Sequence, residues 1–387
     1  MNLGHTKIGI ATVYTGYNYG SALQAFATKS VLESLGYDSE LYYVGGSLIK
    51  GRDIRIKKLA VLFARTVWRP GVLKQTVGVY KNAPASQLTE ASKSLFQMFY
   101  DITLQPQKVS YSNLRKRAHT NEFAAFVCGS DQIWNSTNYY VDPFYYLRFA
   151  PQEKRIAYAP SFGRNFVPDY NKKKIAKFIS EFDSISVRED SGAEIVHELV
   201  EIMPPVLLDP TLLLTATQWV EKLNLIDESS KEKYILSYFL NTPSVKACAF
   251  LDELAQKTGY KIITIPTRQN SLNAPTIYCD AGPKEFISLL RNAAIVCTDS
   301  FHGTAFSINF HVPFYTFERN YGSGGNQSTR IQSLLCYMNM QDCYCPTNIN
   351  INEMLDFNAS DVILQEKRKE AFEYLRQSII KENEINI

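Results

Sequence analysis

Four clusters of polar and glycine residues in this sequence stand directly after short apolar runs. That is where an open α/β sheet presents its ligands. The sharpest is Asp299-Ser-Phe-His-Gly-Thr304, after Ala294–Thr298. Ser300 can cap the next helix, and the amides of Phe301, His302, Gly303 and Thr304 would then point at an anion. His302 falls in that first turn, where an imidazole can donate a proton or, when charged, hold an anion. A satisfied structural histidine is the alternative. Gly303 keeps the approach open. Arg188 follows Ser184–Val187; it can grip phosphate or carboxylate through two N–H groups, or simply pair with Asp190 or another acid. Gly129-Ser-Asp-Gln-Ile-Trp-Asn135 follows Ala124–Cys128. Its Ser130, Gln132, Trp134 and Asn135 suit a hydroxyl-rich ligand such as a sugar. Asp131 there can accept a sugar proton or fix a hydroxyl, or else cap a helix. Tyr14-Thr-Gly-Tyr-Asn-Tyr-Gly20 follows the first run. Asn18, Tyr19 and Gly20 either bring backbone close to a ligand or form a plain tight turn.

Glycine-rich Tyr321-Gly-Ser-Gly-Gly-Asn326 reads equally as a lid and as a bland loop, and Arg330 after it can face the same anion site. His5, His119, His197 and His311 read as structural or surface residues. No dinucleotide fingerprint, Walker A, His-Glu-x-x-His or Gly-x-Ser-x-Gly pattern is present. Seven cysteines are scattered along the chain, and only Cys343-Tyr-Cys345 with Cys336 hints at metal. No matching ligand pair lies nearby, so neither a metal nor a cofactor is expected.

The elements that must position these clusters read as strands alternating with helices. Lys7–Tyr14 is a buried strand. Ser21 can cap a helix carrying Leu23, Phe26, Ala27, Val31 and Leu35, which Gly36 ends, and Glu40–Val44 is the next strand. The pattern restarts at Tyr234–Leu240, with helix Pro243–Thr258, Gly259, then strand Lys261–Ile265. Strands also fall at Ile156–Ala159 and Pro313–Phe317, and helices at Asn171–Phe182, Glu189–Leu199 and Pro283–Asn292. The expected fold is α/β, with two Rossmann-like domains facing a cleft. Residues 1–215 form the N-terminal, acceptor-side domain and 216–355 the C-terminal, donor-side domain. Residues 356–387 form a C-terminal helix long enough, at about 1.5 Å per residue, to reach back across both.

Composition narrows the function. The chain has 387 residues, 45% hydrophobic and 20% charged, which excludes a long disordered chain. A net charge of +3 is too balanced for a dedicated nucleic-acid binder. No apolar run reaches the roughly 18 residues of a membrane span, and no signal-peptide pattern opens the sequence, so a cytoplasmic location is expected. Residues 50–81 break the pattern, with nine Lys and Arg against Asp53 alone and Trp68 among them. Such a basic amphipathic segment suits an anionic membrane surface, as a peripheral contact at the inner face, or a helical insertion packed on its own domain.

Asn18-Tyr-Gly-Ser-Ala-Leu-Gln24, Gly129-Ser-Asp-Gln-Ile-Trp-Asn135, Ser186-Val-Arg-Glu-Asp-Ser191, Leu208-Asp-Pro-Thr-Leu-Leu213 and Ser300-Phe-His-Gly-Thr304 occur in this order. Together they resemble the polysaccharide pyruvyl transferase family, over residues from about 8 to about 335. The resemblance implies a GT-B-like fold, phosphoenolpyruvate as donor, and a sugar or lipid-linked oligosaccharide with two free hydroxyls as acceptor. The product would be a cyclic pyruvate ketal on a surface-glycan precursor. It associates the positions of Arg188 and His302 with the donor site. His302 and Asp131 are then the expected catalytic pair. Arg188, Ser300, Phe301, Gly303, Thr304 and Arg330 are expected at the donor, and Asn18, Tyr19, Gly20, Ser130, Gln132, Trp134 and Asn135 at the acceptor. The segment 50–81 is outside the motif set. A glycosyltransferase using a nucleotide sugar and a non-catalytic sugar-binding protein of the same fold are the rival readings.

Overall fold

The computed structural model describes residues 7–43, 60–64, 66–67, 88–137, 140–226, 232–267, 274–319, 329–349 and 355–380. Most of the basic segment 50–81 and all of the glycine-rich stretch 321–326 lie outside them.

Short β-branched and aromatic runs build two sheets in which every strand pair is parallel. The first contains β1 (Lys7–Ala11), β2 (Asp38–Tyr43), β3 (Gln107–Lys108), β4 (Phe123–Cys128), β5 (Arg155–Ala157) and β6 (Ser184–Ile185), in the order β3-β2-β1-β4-β5-β6. The second contains β7 (Tyr234–Tyr238), β8 (Lys261–Thr264), β9 (Thr276–Tyr278), β10 (Ile295–Thr298) and β11 (Phe314–Thr316), in the order β11-β10-β7-β8-β9. Strand order reverses between β1 and β4 in one sheet and between β7 and β10 in the other. Chain leaving the carboxyl ends there splays apart and leaves a crevice, where ligands of such sheets bind. The expected two-sheet α/β fold is the observed one.

Helix α1 (Tyr19–Ser34) follows β1. Asn18 is its cap, accepting from the Ser21 amide at 3.0 Å. Ser21 was the expected cap; a hydroxyl two residues inside the helix is instead left free for another partner. Helices α2 (Glu90–Met98) and α3 (Tyr111–Ala118) precede β4. Helices α4 (Asp169–Ile179) and α5 (Asp190–Val200) flank β6, and α6 (Ala216–Leu223) stands between the sheets' strands in sequence. Helix α7 (Val245–Thr258) ends at Gly259, and α8 (Pro283–Arg291) leads into β10. Helix α9 (Phe301–Asn309) starts from β10, capped by Ser300, whose hydroxyl accepts from the Gly303 amide at 3.3 Å. Helix α10 (Thr329–Tyr337) and α11 (Phe357–Ile380) complete the described chain.

One apolar cluster runs through both halves. Tyr19 of α1 stacks on Phe286 of α8 at 5.0 Å, and its hydroxyl donates to the Ala281 carbonyl. Phe26 and Phe306 both meet the Trp219 ring, at 5.5 and 5.1 Å. Helix α11 starts beside His311, which stacks on Phe357 and meets Asp361 at 2.8 Å. Further along, its Tyr374 hydroxyl donates to the Ala157 carbonyl of β5 at 2.9 Å. The helix therefore crosses from the second half to the first. No helix among the described residues is long and apolar enough to cross a membrane.

Candidate active site

The two switch points face each other, and their loops meet around one carboxylate. Asp209, in the turn that follows a short bridge between Val187 and Val206, is completely buried. Its Oδ2 takes hydrogen bonds from Arg188 Nη1 at 2.6 Å and Ser130 Oγ at 3.0 Å, and lies 3.6 Å from His302 Nε2. Its Oδ1 takes the amide and hydroxyl of Thr211, at 3.0 and 2.7 Å. Burial pushes its pKa up, but His302, Arg188 and the Thr211 amide outweigh that and hold it below the ordinary carboxylate range.

Arg188 is buried and surrounded by acids. Besides Asp209, Asp131 lies 3.7 Å from Nη2 and Glu189 lies 3.7 Å from Nε. Burial lowers its pKa, but Asp209, Asp131 and Glu189 reverse this and the net shift is upward. Its plane lies 4.6 Å over the Phe301 ring, which fixes the guanidinium in a cation–π contact. Asp131 takes the Ser21 hydroxyl at 2.5 Å. Burial raises its pKa, yet Arg188, His302, Ser21 and Arg330 together bring it below the usual value. Arg330, also buried, has its pKa lowered to about 10, first by burial and next by the charge of Arg188.

His302 is held by shape. A Cβ built on Gly20 would stand 2.0 Å from its Nδ1, so the ring sits directly against the bare backbone of α1. The loop carrying Asp131 is held likewise. Gly129 has φ +114°, and a Cβ there would stand 2.0 Å from the Tyr158 carbonyl oxygen. Gln24 of α1 ties that loop down, accepting the Ser130 amide at 3.0 Å and donating to Thr12 and Val13.

Arg188 Nε, Arg188 Nη2 and His302 Nε2 are buried donor atoms of this cluster that lack a hydrogen-bond partner among the described residues. Orphaned buried donors are costly, so each needs an explanation. Each of the three faces a carboxylate at 3.6–3.7 Å without a hydrogen bond to it, and N–H groups so placed can take an anion such as a carboxylate or phosphate.

The structure brings Asp131, Arg188, Phe301, His302 and Arg330 together. Ser300 and Thr304 are buried at the foot of α9 and bond to its backbone. Gly303 lies against Thr298. Of the residues expected at the acceptor, Gly20 supports His302, and Ser130 is spent on Asp209 and the Ala159 carbonyl. Asn18 caps α1, and Asn135 accepts from the Thr137 amide and hydroxyl. Gln132 stays half-buried beside Gly163. Two of those expectations need correction. Tyr19 and Trp134 are both 1% exposed. Tyr19 serves the core between the halves, and Trp134 stacks on Tyr146 at 5.2 Å with its N–H on the Tyr145 carbonyl. Aromatic rings after a strand can face a cleft or cover the core, and here burial of about 200 Å² apiece decides for the core. Asp209, Ser21, Gln24 and Glu189 are site residues that sequence reasoning missed. All four lie inside motifs read above, and the signal for Asp209 was an Asp-Pro-Thr turn with nothing local to mark its partners.

Two parallel α/β sheets whose switch points face one cleft make this a protein of the GT-B-like class. Its sequence matches polysaccharide pyruvyl transferase over residues 18–321, and the chain belongs to that family of enzymes, which transfer pyruvate to polysaccharide. No curated protein matches the sequence. Among solved structures it is similar to UDP-GlcNAc 2-epimerase from Neisseria meningitidis, at 13% identity, TM-score 0.43, and coverage of 94% of this chain and 100% of the other. A second is UDP-N-acetylglucosamine 2-epimerase from Rickettsia bellii, at 10% identity, TM-score 0.44 and 98% of each chain. A third is glycosyltransferase SnogD from Streptomyces nogalater, at 12% identity, TM-score 0.42, and 96% of this chain and 99% of that one.

Proposed function

We propose that the chain transfers pyruvate from phosphoenolpyruvate to two hydroxyls of one sugar in a surface-glycan precursor, forming a cyclic ketal and releasing phosphate. The observation that carries this reading is the set of orphaned donors on Arg188 and His302, buried beside a second guanidinium, Arg330. Such a site fits a small, doubly anionic donor better than a neutral sugar.

Arg188 and Arg330 hold the carboxylate and phosphate, and Phe301 and the cap of Ser300 fix their surroundings. His302 gives the proton on Nε2 to the methylene carbon of the donor. The central carbon, now electron-poor, takes the oxygen of the first sugar hydroxyl, whose proton passes to Asp131. Arg188 lowers the cost of the transition state by balancing its charge. Phosphate then leaves from the central carbon, the second hydroxyl closes the ring, and its proton leaves with phosphate. Asp209 touches no reacting atom; it orients His302 and Arg188 together. Gln132 and the Asp131 loop, in residues 1–215, face the acceptor, and α9 and α10, in residues 216–355, supply the donor side, with Arg188 reaching across. No step calls for a metal or cofactor.

The test is direct. A thermal-shift panel should show stabilisation by phosphoenolpyruvate and none by nucleotide sugars, since a ligand at 100 times its Kd adds about 2.7 kcal/mol. Phosphate release with lipid-linked glycan intermediates, and a new ketal methyl resonance on the sugar, would establish the transfer. A nucleotide-sugar response instead would make the chain a glycosyltransferase. Binding of a sugar without phosphate release from any donor would make it a sugar-binding protein. The basic segment 50–81, most of it outside the described residues, is proposed to touch anionic lipid; co-sedimentation with anionic but not neutral vesicles, weakened by salt, is the expected result.

A further inference from the structure

A cavity of about 320 Å³, lined in part by Arg188 and Asp209, lies between the two halves and the C-terminal helix. Its apolar wall is Pro205, Leu207, Leu212, Phe301 and Leu334. Its charged groups are Arg188, Asp209, Arg330, Lys367 and Glu370. Lys367 and Glu370 belong to α11, beyond the last residue of the family match.

Charge counting shows what the inner cluster lacks. With His302 protonated, as the proposed proton transfer requires, Arg188, Arg330 and His302 only balance three carboxylates, Asp131, Glu189 and Asp209. A phosphate monoester carries about −1.5 to −2 at neutral pH, and the donor's carboxylate adds one more charge. The inner cluster offers N–H donors for one anionic end of that ligand but no net positive charge for both. Lys367 is the one further cation among the described residues lining the cavity. It is 35% exposed and, among the described residues, pairs with Glu370 at 2.8 Å, itself 50% exposed. A solvated pair one turn apart on a helix is worth little, so the ammonium is easily drawn to a stronger anion.

We propose that α11 completes the donor site, with Lys367 binding the phosphoryl end of the donor in this cavity while Arg188 and Arg330 hold its carboxylate end. The proposal rests on the reading of phosphoenolpyruvate as donor. The apolar wall excludes water around the phosphoryl group and strengthens its attraction to Lys367. Glu370 acts against binding, because it competes for the same ammonium and repels the ligand.

Calorimetry on the full chain, with phosphoenolpyruvate, inorganic phosphate and pyruvate as separate probes, tests this. Lys367→Ala should weaken phosphoenolpyruvate and phosphate roughly fivefold and leave pyruvate unchanged, since pyruvate lacks the phosphoryl group. Lys367→Arg should keep most of the affinity, and Glu370→Gln should tighten phosphoenolpyruvate and phosphate. Both side chains are solvated, so the variants should fold. If Lys367→Ala binds phosphoenolpyruvate like wild type while Arg188→Ala loses it, the donor reading stands and this proposal falls. Equal weakening of pyruvate and phosphate would also overturn it. Wild type binding none of the three probes would end the donor reading itself, and this proposal with it.

Discussion

At the scale of single residues, the site is a set of buried charges that satisfy one another only partly. Asp209 is shared among Arg188, Ser130 and His302 while two Arg188 nitrogens remain without a hydrogen bond. On the proposed reading, that incompleteness is what the donor's anionic groups fill. Two predictions belong here. His302→Gln should fold with a near-normal melting point and lose turnover by about 10²–10⁴-fold, the usual contribution of a general acid. Wild-type turnover should slow in deuterated solvent and fall as pH rises. Full activity in that variant would remove His302 from the proton transfer. Gly20→Ala touches no reacting atom, yet its new methyl would occupy the place of the imidazole. It should lose most turnover and about 1–3 kcal/mol of stability, from overpacking. Chemical denaturation and kinetics on the same sample check both. The polar type of these side chains was legible in the sequence, because each follows a buried strand. The sharing of Asp209 was not, since its partners follow β4, β6 and β10, and no local pattern joins Asp209 to Ser130, 79 positions away, or to His302, still further along the chain.

At the scale of elements, apolar continuity made β1, β4, β7 and β10 readable, and glycine marked the end of α7. Helix α2 was missed because it follows the basic segment, where no strand sets the phase of the pattern. The edge of the first sheet shows an interaction that sequence could not show. Glu40 of β2 takes Lys7 of β1 at 2.8 Å and Arg117 of α3 at 3.0 Å, and also accepts the Tyr42 hydroxyl at 2.7 Å. Burial raises the Glu40 pKa, but Lys7, Arg117 and Tyr42 bring it from 4.5 down to about 2. A carboxylate depressed by folding contributes stability that is full above its unfolded value and is lost as pH falls through the folded one. Its partners are about one-third exposed, so the contribution is about 1–2 kcal/mol after solvent screening. Glu40→Gln should therefore be less stable than wild type by that amount above about pH 4.5. The gap should close toward pH 2. A gap constant with pH, in denaturant titrations across that range, would mean that packing rather than charge is at work.

At the scale of the whole molecule, helix α11 decides how the halves stand to each other. Arg368 donates from Nε to the Leu212 carbonyl at 2.7 Å and from Nη2 to Asn309 Oδ1 at 3.0 Å. Asn309 in turn donates to the Leu214 carbonyl at 2.8 Å. The helix thus pins the link after Asp209 to the end of α9, the helix whose first turn carries His302. Arg368→Ala leaves these groups without partners and should cost about 1–3 kcal/mol, read as a lower denaturation midpoint. A purely structural role ends there. If the helix also places Lys367, the neighbouring residue, Arg368→Ala should weaken phosphoenolpyruvate binding without touching any ligand atom. Lys367→Ala added to it should then cost less than it does in wild type, because residues acting through one element are not additive. The double-mutant cycle, measured by calorimetry on folded protein, checks this. Strict additivity would show that Lys367 finds the donor regardless of how α11 is anchored, and would confine Arg368 to stability.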